Sequence, residues 1–256
     1  MAQAETPVID SLTYSEAEVE RWDREWLNYI FHGYRRHFTP YTAYPDRPEL
    51  TEDPLETIQV AVGNETKLHV YAPGSAIRGK AVMEFGCGSG LLGRLIAHYT
   101  TSYLGIDCSR LALAIGPLVS PPNAAYLHVN QTGELAQRHG TIDTLVSRFF
   151  WIHQNFQTAS RVLRIVEPLL KPGARLYLDF FWPNTAEAGD GPFRDVWKVF
   201  SPRDPLSEEH PSSLFRYTAR DVEELFHGMP YRILHQEVHG PTQRRYVIAE
   251  KAALLY

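Results

Sequence analysis

Sulfur is scarce in this chain, and charge is nowhere concentrated. Among 256 residues there are two cysteines, Cys87 and Cys108, and three methionines. Two cysteines give neither a zinc-ligand spacing nor the framework of a disulfide-stapled domain, so both are read as free thiols in a reducing compartment. No run of Lys or Arg occurs, and 25 basic residues stand against 30 acidic ones, a net charge of -5. Proteins that hold nucleic acid by neutralising phosphates present a basic face, so nucleic acid is not an expected partner. Long apolar runs are also missing. The longest are strand-length, far short of the roughly 20 residues that a membrane span needs. Residues 1–13 are polar and lack the apolar segment of a secretory signal, so a cytoplasmic location is expected. There is no internal repeat, no low-complexity tract and no Asp/Asn cluster that would ask for a divalent metal.

Periodicity then divides the chain. Residues 11–38 have helical character. Ser15 and Glu18 stand at capping-box spacing, and Val19, Trp22, Trp26, Tyr29 and Ile30 make one apolar face. Residues 39–54 carry four prolines and read as irregular. Two alternating segments, 57–62 and 66–71, flank Gly63-Asn64-Glu65 and suggest a hairpin. From residue 81 apolar strands and helical segments alternate: strands at 81–85, 102–107, 124–129, 142–149 and 174–181, helices at 90–98, 109–116, 133–138 and 158–170. Alternation of this kind predicts a parallel sheet with helices on both faces. Residues 183–213, rich in Pro, Gly, Asp and Glu, read as an insertion. A helix at 218–227 and strands near 231–238 and 244–250 close the chain. The expected division is 1–75, a helical lid with a possible hairpin, and 76–256, a core with its cap at 183–213.

The densest signal is Glu84-Phe85-Gly86-Cys87-Gly88-Ser89-Gly90, between an apolar strand and a helical segment. Glycines permit a sharp turn and close approach of a ligand to the backbone. Amide N–H groups at such a turn suit a polar or anionic ligand end. Asp107 ends the next strand, about 20 residues on, where a carboxylate reaches the ribose hydroxyls of a bound nucleotide. An NAD site shares Asp107. Against NAD stand the G-x-G-x-G spacing, the acidic Glu84 before the first glycine, and a motif lying well inside the chain.

Residues 80–182 resemble the core of a class I S-adenosylmethionine (SAM) methyltransferase. Glu84 to Gly90 matches that family's first motif, Asp107 its second acidic position, Asp143 to Phe150 the fourth-strand motif, and Leu170 to Leu178 the passage into the fifth strand. The resemblance implies a seven-stranded, mostly parallel Rossmann-like sheet, and SAM as cofactor with S-adenosylhomocysteine (SAH) as product. It implies that Gly86, Gly88 and Gly90 let the methionyl part approach, and that Glu84 takes its amino group; alternatively Glu84 only bonds loop amides. Asp107 takes the ribose, with Cys108 beside it. Asn130 or Gln131 faces the adenine, and Ser147 forms the wall past the sulfonium. Tyr29 and Tyr34 belong to a segment that covers the cofactor in similar enzymes.

Transfer to oxygen generally needs a base. His153, just past the fourth strand, is the first candidate, and Asp179, near the end of the fifth, is the second. Arg148 is suited either to an acceptor carboxylate or to a structural ion pair. The reading is a SAM-dependent methyltransferase acting on a small molecule or short peptide, at oxygen in preference to nitrogen or carbon, in secondary-metabolite tailoring, as monomer or homodimer. Competing readings are an enzyme that binds SAM without net methyl transfer and a SAM- or SAH-binding regulatory module.

Overall fold

Alternate residues of the central strands face two different cores. Strands β1 (Ala81–Phe85), β2 (Ser102–Asp107), β4 (Ile142–Ser147) and β5 (Leu170–Phe181) run through the middle of the sheet. Met83, Phe85, Leu104, Ile106, Leu145, Leu176 and Leu178 pack on one side. Val82, Tyr103, Val146 and Tyr177 pack on the other. Side chains alternate across a strand, so apolar residues at every position mean that both faces are covered, as expected of a parallel sheet between helical layers.

The computed structural model describes residues 13–31, 72, 74–182, 198–206, 213–239 and 243–253, with 28–31 described by backbone alone. The expected hairpin, Tyr34, the side chain of Tyr29 and most of the insertion lie outside the described residues. The main sheet has the order β3-β2-β1-β4-β5-β9-β8, with β3 at Ala124–His128, β8 at Tyr231–His239 and β9 at Arg244–Lys251. The first five of these are parallel; β9 runs antiparallel to β5 and β8 antiparallel to β9. A two-residue parallel pair, β6 (Val199–Phe200) with β7 (Leu214–Phe215), was not expected from the sequence.

The described helices are α1 (Glu16–Phe31), α2 (Gly74–Ile77), α3 (Gly93–Ile96), α4 (Arg110–Val119), α5 (Thr132–Ala136), α6 (Phe156–Val166) and α7 (Ala219–Phe226). Local chemistry sets several of their starts. Ser15 and Glu18 exchange side-chain-to-backbone bonds ahead of α1, and Thr218 with Asp221 does the same for α7. Asn155 accepts the Thr158 N–H at the start of α6. The helix expected at 90–98 is shorter. Gly90 is left-handed (φ +75°), residues 91 and 92 still turn, and α3 gives way to a 3-10 turn at Ala97–Tyr99. Strand β5 starts earlier than expected because Leu170 already pairs with Ile142 ahead of a register shift.

Helix α1 lies against the loops at the carboxyl ends of the strands. Val19 is fully buried in the larger core, with Trp22 packed on it. The backbone N–H and C=O of Tyr14 both bond the Asn130 side chain, each at 2.8 Å. Asp23 accepts from the Ser109 hydroxyl at 2.6 Å and the Leu111 N–H at 3.0 Å. Glu18 pairs with Arg161 at 2.5 Å. Asp23 thus satisfies a free donor at the start of α4 while fastening α1 to it. Asp23→Ala is expected to lower stability by about 1–2 kcal/mol, the size of a lost cap. It should also speed amide exchange in α1; unchanged exchange there would show that α1 is held without Asp23.

Candidate functional site

Glu84, Asp107 and Asp179 share the sheet face of Val82, Tyr103 and Tyr177, by the two-residue period, and all sit near strand carboxyl ends. In a parallel α/β sheet this is where ligands bind. All three are buried. Burial raises the pKa of each: Glu84 to about 7, Asp179 to about 6, and Asp107 above its ordinary value. Their partners pull the other way.

Asp107 holds the glycine loop. One oxygen accepts the Gly88 N–H and the other the Ser109 N–H, both at 2.8 Å. The neighbouring amides are also spoken for. Those of Gly86 and Cys87 bond the Ile106 carbonyl, and that of Gly90 bonds Cys87. The expectation of amides open to an anionic ligand end is therefore corrected for these four, and the helix that follows has only four residues. A pyrophosphate needs unsatisfied N–H groups at a helix start, so the loop fits a dinucleotide poorly.

Gly86, Gly88 and Gly90 all have positive φ. A Cβ on each would meet an aromatic ring: Phe150 at 2.4 Å, Trp26 at 2.2 Å and the Tyr126 hydroxyl at 2.3 Å, respectively. Three glycines are thus required by conformation and packing before any ligand is considered. Trp26, which the sequence placed on the apolar face of α1, rests directly on the loop.

Glu84 bonds no loop amide in the structure. The Tyr103 hydroxyl donates to one of its oxygens, and Arg148 Nε stands 3.7 Å from the other. Ser147 donates its hydroxyl to the Phe85 carbonyl at 2.6 Å, joining β4 to β1. Both ends of the Asn130 amide bond Tyr14, a partner far away in sequence. Gln131 accepts the His128 N–H at 2.6 Å. Cys108 is buried, and burial pushes its thiol well above the ordinary range; its carbonyl accepts from His128 Nε2 at 2.9 Å. His128, the register partner of Asp107, escaped the sequence reading because nothing local marks it.

His153 is brought to the same end of the sheet. Its Nδ1 lies 3.0 Å from the Ser213 carbonyl, which can only accept, so Nδ1 carries the proton and Nε2 the lone pair. Its ring meets Trp22 edge-on at 5.6 Å. Burial lowers its pKa to about 4, assisted by the charges of Arg244 and Arg21, so the ring is neutral. Asp179, the second candidate base, is bonded to its neighbours. Both its oxygens take the Phe149 N–H, at 2.8 and 3.1 Å, and Arg244 Nε lies 3.4 Å away.

Residues 83–178 match the family profile described as a methyltransferase domain. A methyltransferase domain thus spans residues 83–178. Solved structures share the fold at low identity. A SAM-dependent methyltransferase from Methanosarcina mazei aligns with TM-score 0.51 and 21% identity, over 68% of this chain and 93% of that one. One from Mesorhizobium loti gives 0.51 and 17%, over 68% and 92%. A protein described by the conversion of a disulfide bond into a thioacetal group during echinomycin biosynthesis gives 0.52 and 12%, over 91% and 92%. No curated protein matches the sequence significantly. No described helix of this methyltransferase is long and apolar enough to cross a membrane.

Two outcomes follow for the methyltransferase site. Gly88→Ala places a side chain at φ +53° and into Trp26, and is expected to destabilise by about 1–3 kcal/mol. Adding Trp26→Ala should recover part of that loss in a denaturant double-mutant cycle; strict additivity would show that ring and loop are not in contact. The second concerns pH. His153 has a folded pKa of about 4, against about 6.5 when unfolded. Its contribution is complete above the unfolded value and is lost as pH falls from there through the folded one, up to about 3 kcal/mol in all. Glu84 and Asp179, with raised values, act in the opposite sense in wild type and variant alike. Relative to His153→Gln, the wild type should therefore lose stability between pH 7 and pH 4 in urea titrations. Parallel curves would mean that the ring is not buried neutral.

Proposed function

We propose that the methyltransferase moves the methyl group of SAM to an oxygen of a small molecule, with His153 accepting the proton. The observation that carries this reading is the bond from His153 Nδ1–H to the Ser213 carbonyl. It fixes one tautomer and leaves Nε2 as the basic nitrogen at the ligand-binding end of the sheet. The depressed pKa makes this a weak base, suited to an acidic hydroxyl.

When bound, SAM supplies a methyl carbon already activated by its sulfonium. Asp107 has two oxygens, each holding one backbone N–H, and each keeps a lone pair for a ribose hydroxyl. Glu84 is placed to favour the methionyl ammonium, and Gly86, Gly88 and Gly90 turn the backbone around that end. Ser147 keeps β4 in register beside them. Asn130 or Gln131 faces the adenine; the first bonds Tyr14, and the second bonds His128 and Glu134. Helix α1, with Trp26 on the glycine loop, acts as a lid that excludes water, and Tyr29 and Tyr34 belong to the same segment. Residues 183–213 then supply acceptor specificity. An aromatic-rich lid favours tailoring of a secondary metabolite in the cytoplasm, and a fold neighbour described by a step of echinomycin biosynthesis is in keeping with that.

Calorimetric titration with SAM, SAH and NAD tests the cofactor: SAM and SAH should bind and NAD should not. Asp107→Ala should weaken SAM by at least about tenfold, the cost of an unpaired buried partner. His153→Ala should lower turnover with SAM affinity retained. Label from methyl-labelled SAM should appear in the acceptor together with SAH; SAM unconsumed during turnover would favour the reading without net transfer.

A further inference from the structure

Phe149, two residues past the end of β4, has φ +54°. A bulky residue in the left-handed region is strained and persists only when its surroundings hold it there. Asp179 does so, taking the Phe149 N–H on both carboxylate oxygens while Arg244 pairs with it from β9. Phe149 is left 37% exposed. Two guanidinium groups lie over its ring, Arg148 at 5.6 Å and Arg244 at 5.1 Å from the centroid.

Arg148 carries the argument further. It is only 9% exposed, and among the described residues its Nε and Nη1 have no hydrogen-bond acceptor. Its ion-pair partner Glu84 stands 3.7 Å away, beyond a hydrogen bond. Buried donors without acceptors are costly and are grounds for a missing partner. A guanidinium presents a planar fork that matches a carboxylate. The charges of Arg244 and Arg21 also oppose protonation of His153.

We propose that Arg148 and Arg244, gathered over the Phe149 ring, anchor a carboxylate of the methyl acceptor, which is therefore a small aromatic carboxylic acid. This rests on reading the strand ends as the methyl-transfer site. Phe149 offers the flat contact and the arginines the charge. Asp179 is a positioning residue that holds both Phe149 and Arg244.

The test is calorimetric, on the full chain saturated with SAH. The probes are benzoate, phenylacetate and 4-hydroxybenzoate, each paired with its uncharged amide. At least one acid should bind about tenfold or more tightly than its amide, the margin expected of a charge-assisted fork. Arg244→Gln should erase that preference and leave SAH affinity unchanged, with a melting temperature showing that the variant is folded. Arg148→Lys, which keeps the charge and removes the fork, should reduce it. Should Arg244→Gln not fold, the acid–amide comparison in the wild type decides alone. Binding of no acid, equal binding of acid and amide, or a preference that survives in Arg244→Gln would overturn the anchor. So would a folded Arg244→Gln that loses SAH, because the guanidinium would then serve the cofactor's own carboxylate. Failure of wild type to bind SAH at all would instead overturn the methyltransferase reading beneath it.

Discussion

The carboxylate of Asp107 ties the glycine loop to the start of α4, with one oxygen on the Gly88 N–H and the other on the Ser109 N–H. Much of the site depends on this pair of bonds. They fix the distance between the ends of β1 and β2, and Ser109, so placed, offers its hydroxyl to Asp23 of α1. A buried carboxylate is costly unless it is hydrogen-bonded. The two amides offset that cost while leaving the charge available to a ligand. The same residue therefore closes the loop, positions α1 through Ser109 and presents an acceptor to the site.

Packing around the loop adds a second constraint. The missing side chains of Gly86, Gly88 and Gly90 are replaced by Phe150, Trp26 and Tyr126. These rings come from the loop after β4, from α1 and from β3. The loop conformation is thus coupled to three elements at once, and α1 rests directly on it. Any ligand that approaches the loop there must do so against Trp26, which makes the position of α1 part of the binding equilibrium rather than a decoration of it.

The electrostatics of the site follow from burial more than from net charge. Glu84 and Asp179 are each set against a guanidinium, Arg148 and Arg244, and both carboxyls still titrate above their ordinary range because desolvation outweighs the pairing. Two arginines, a neutral histidine and three carboxyls thus meet at one end of a mildly acidic chain, where the interior screens charges less than water does.

Strand–helix alternation, the glycine motif and Asp107 were legible in the sequence, because each is written in contiguous residues with local consequences. The period of two set the faces of the sheet, caps such as Thr218 set helix starts, and the spacing from Gly86 to Asp107 brought two strand ends together. The partners of Asn130, Asp179, Arg148 and His153 were not legible. Tyr14, Phe149 with Arg244, Glu84 and Ser213, respectively, reach them from distant segments, and no periodicity encodes which side chain meets which across a packed sheet. The sequence by itself determined the class of fold and the loop around which a cofactor site is built, through backbone preference and alternation. Only the tertiary structure decided which buried polar groups satisfy one another and which, like the Nε and Nη1 of Arg148, do not, because that outcome depends on where burial withdraws water from each of them.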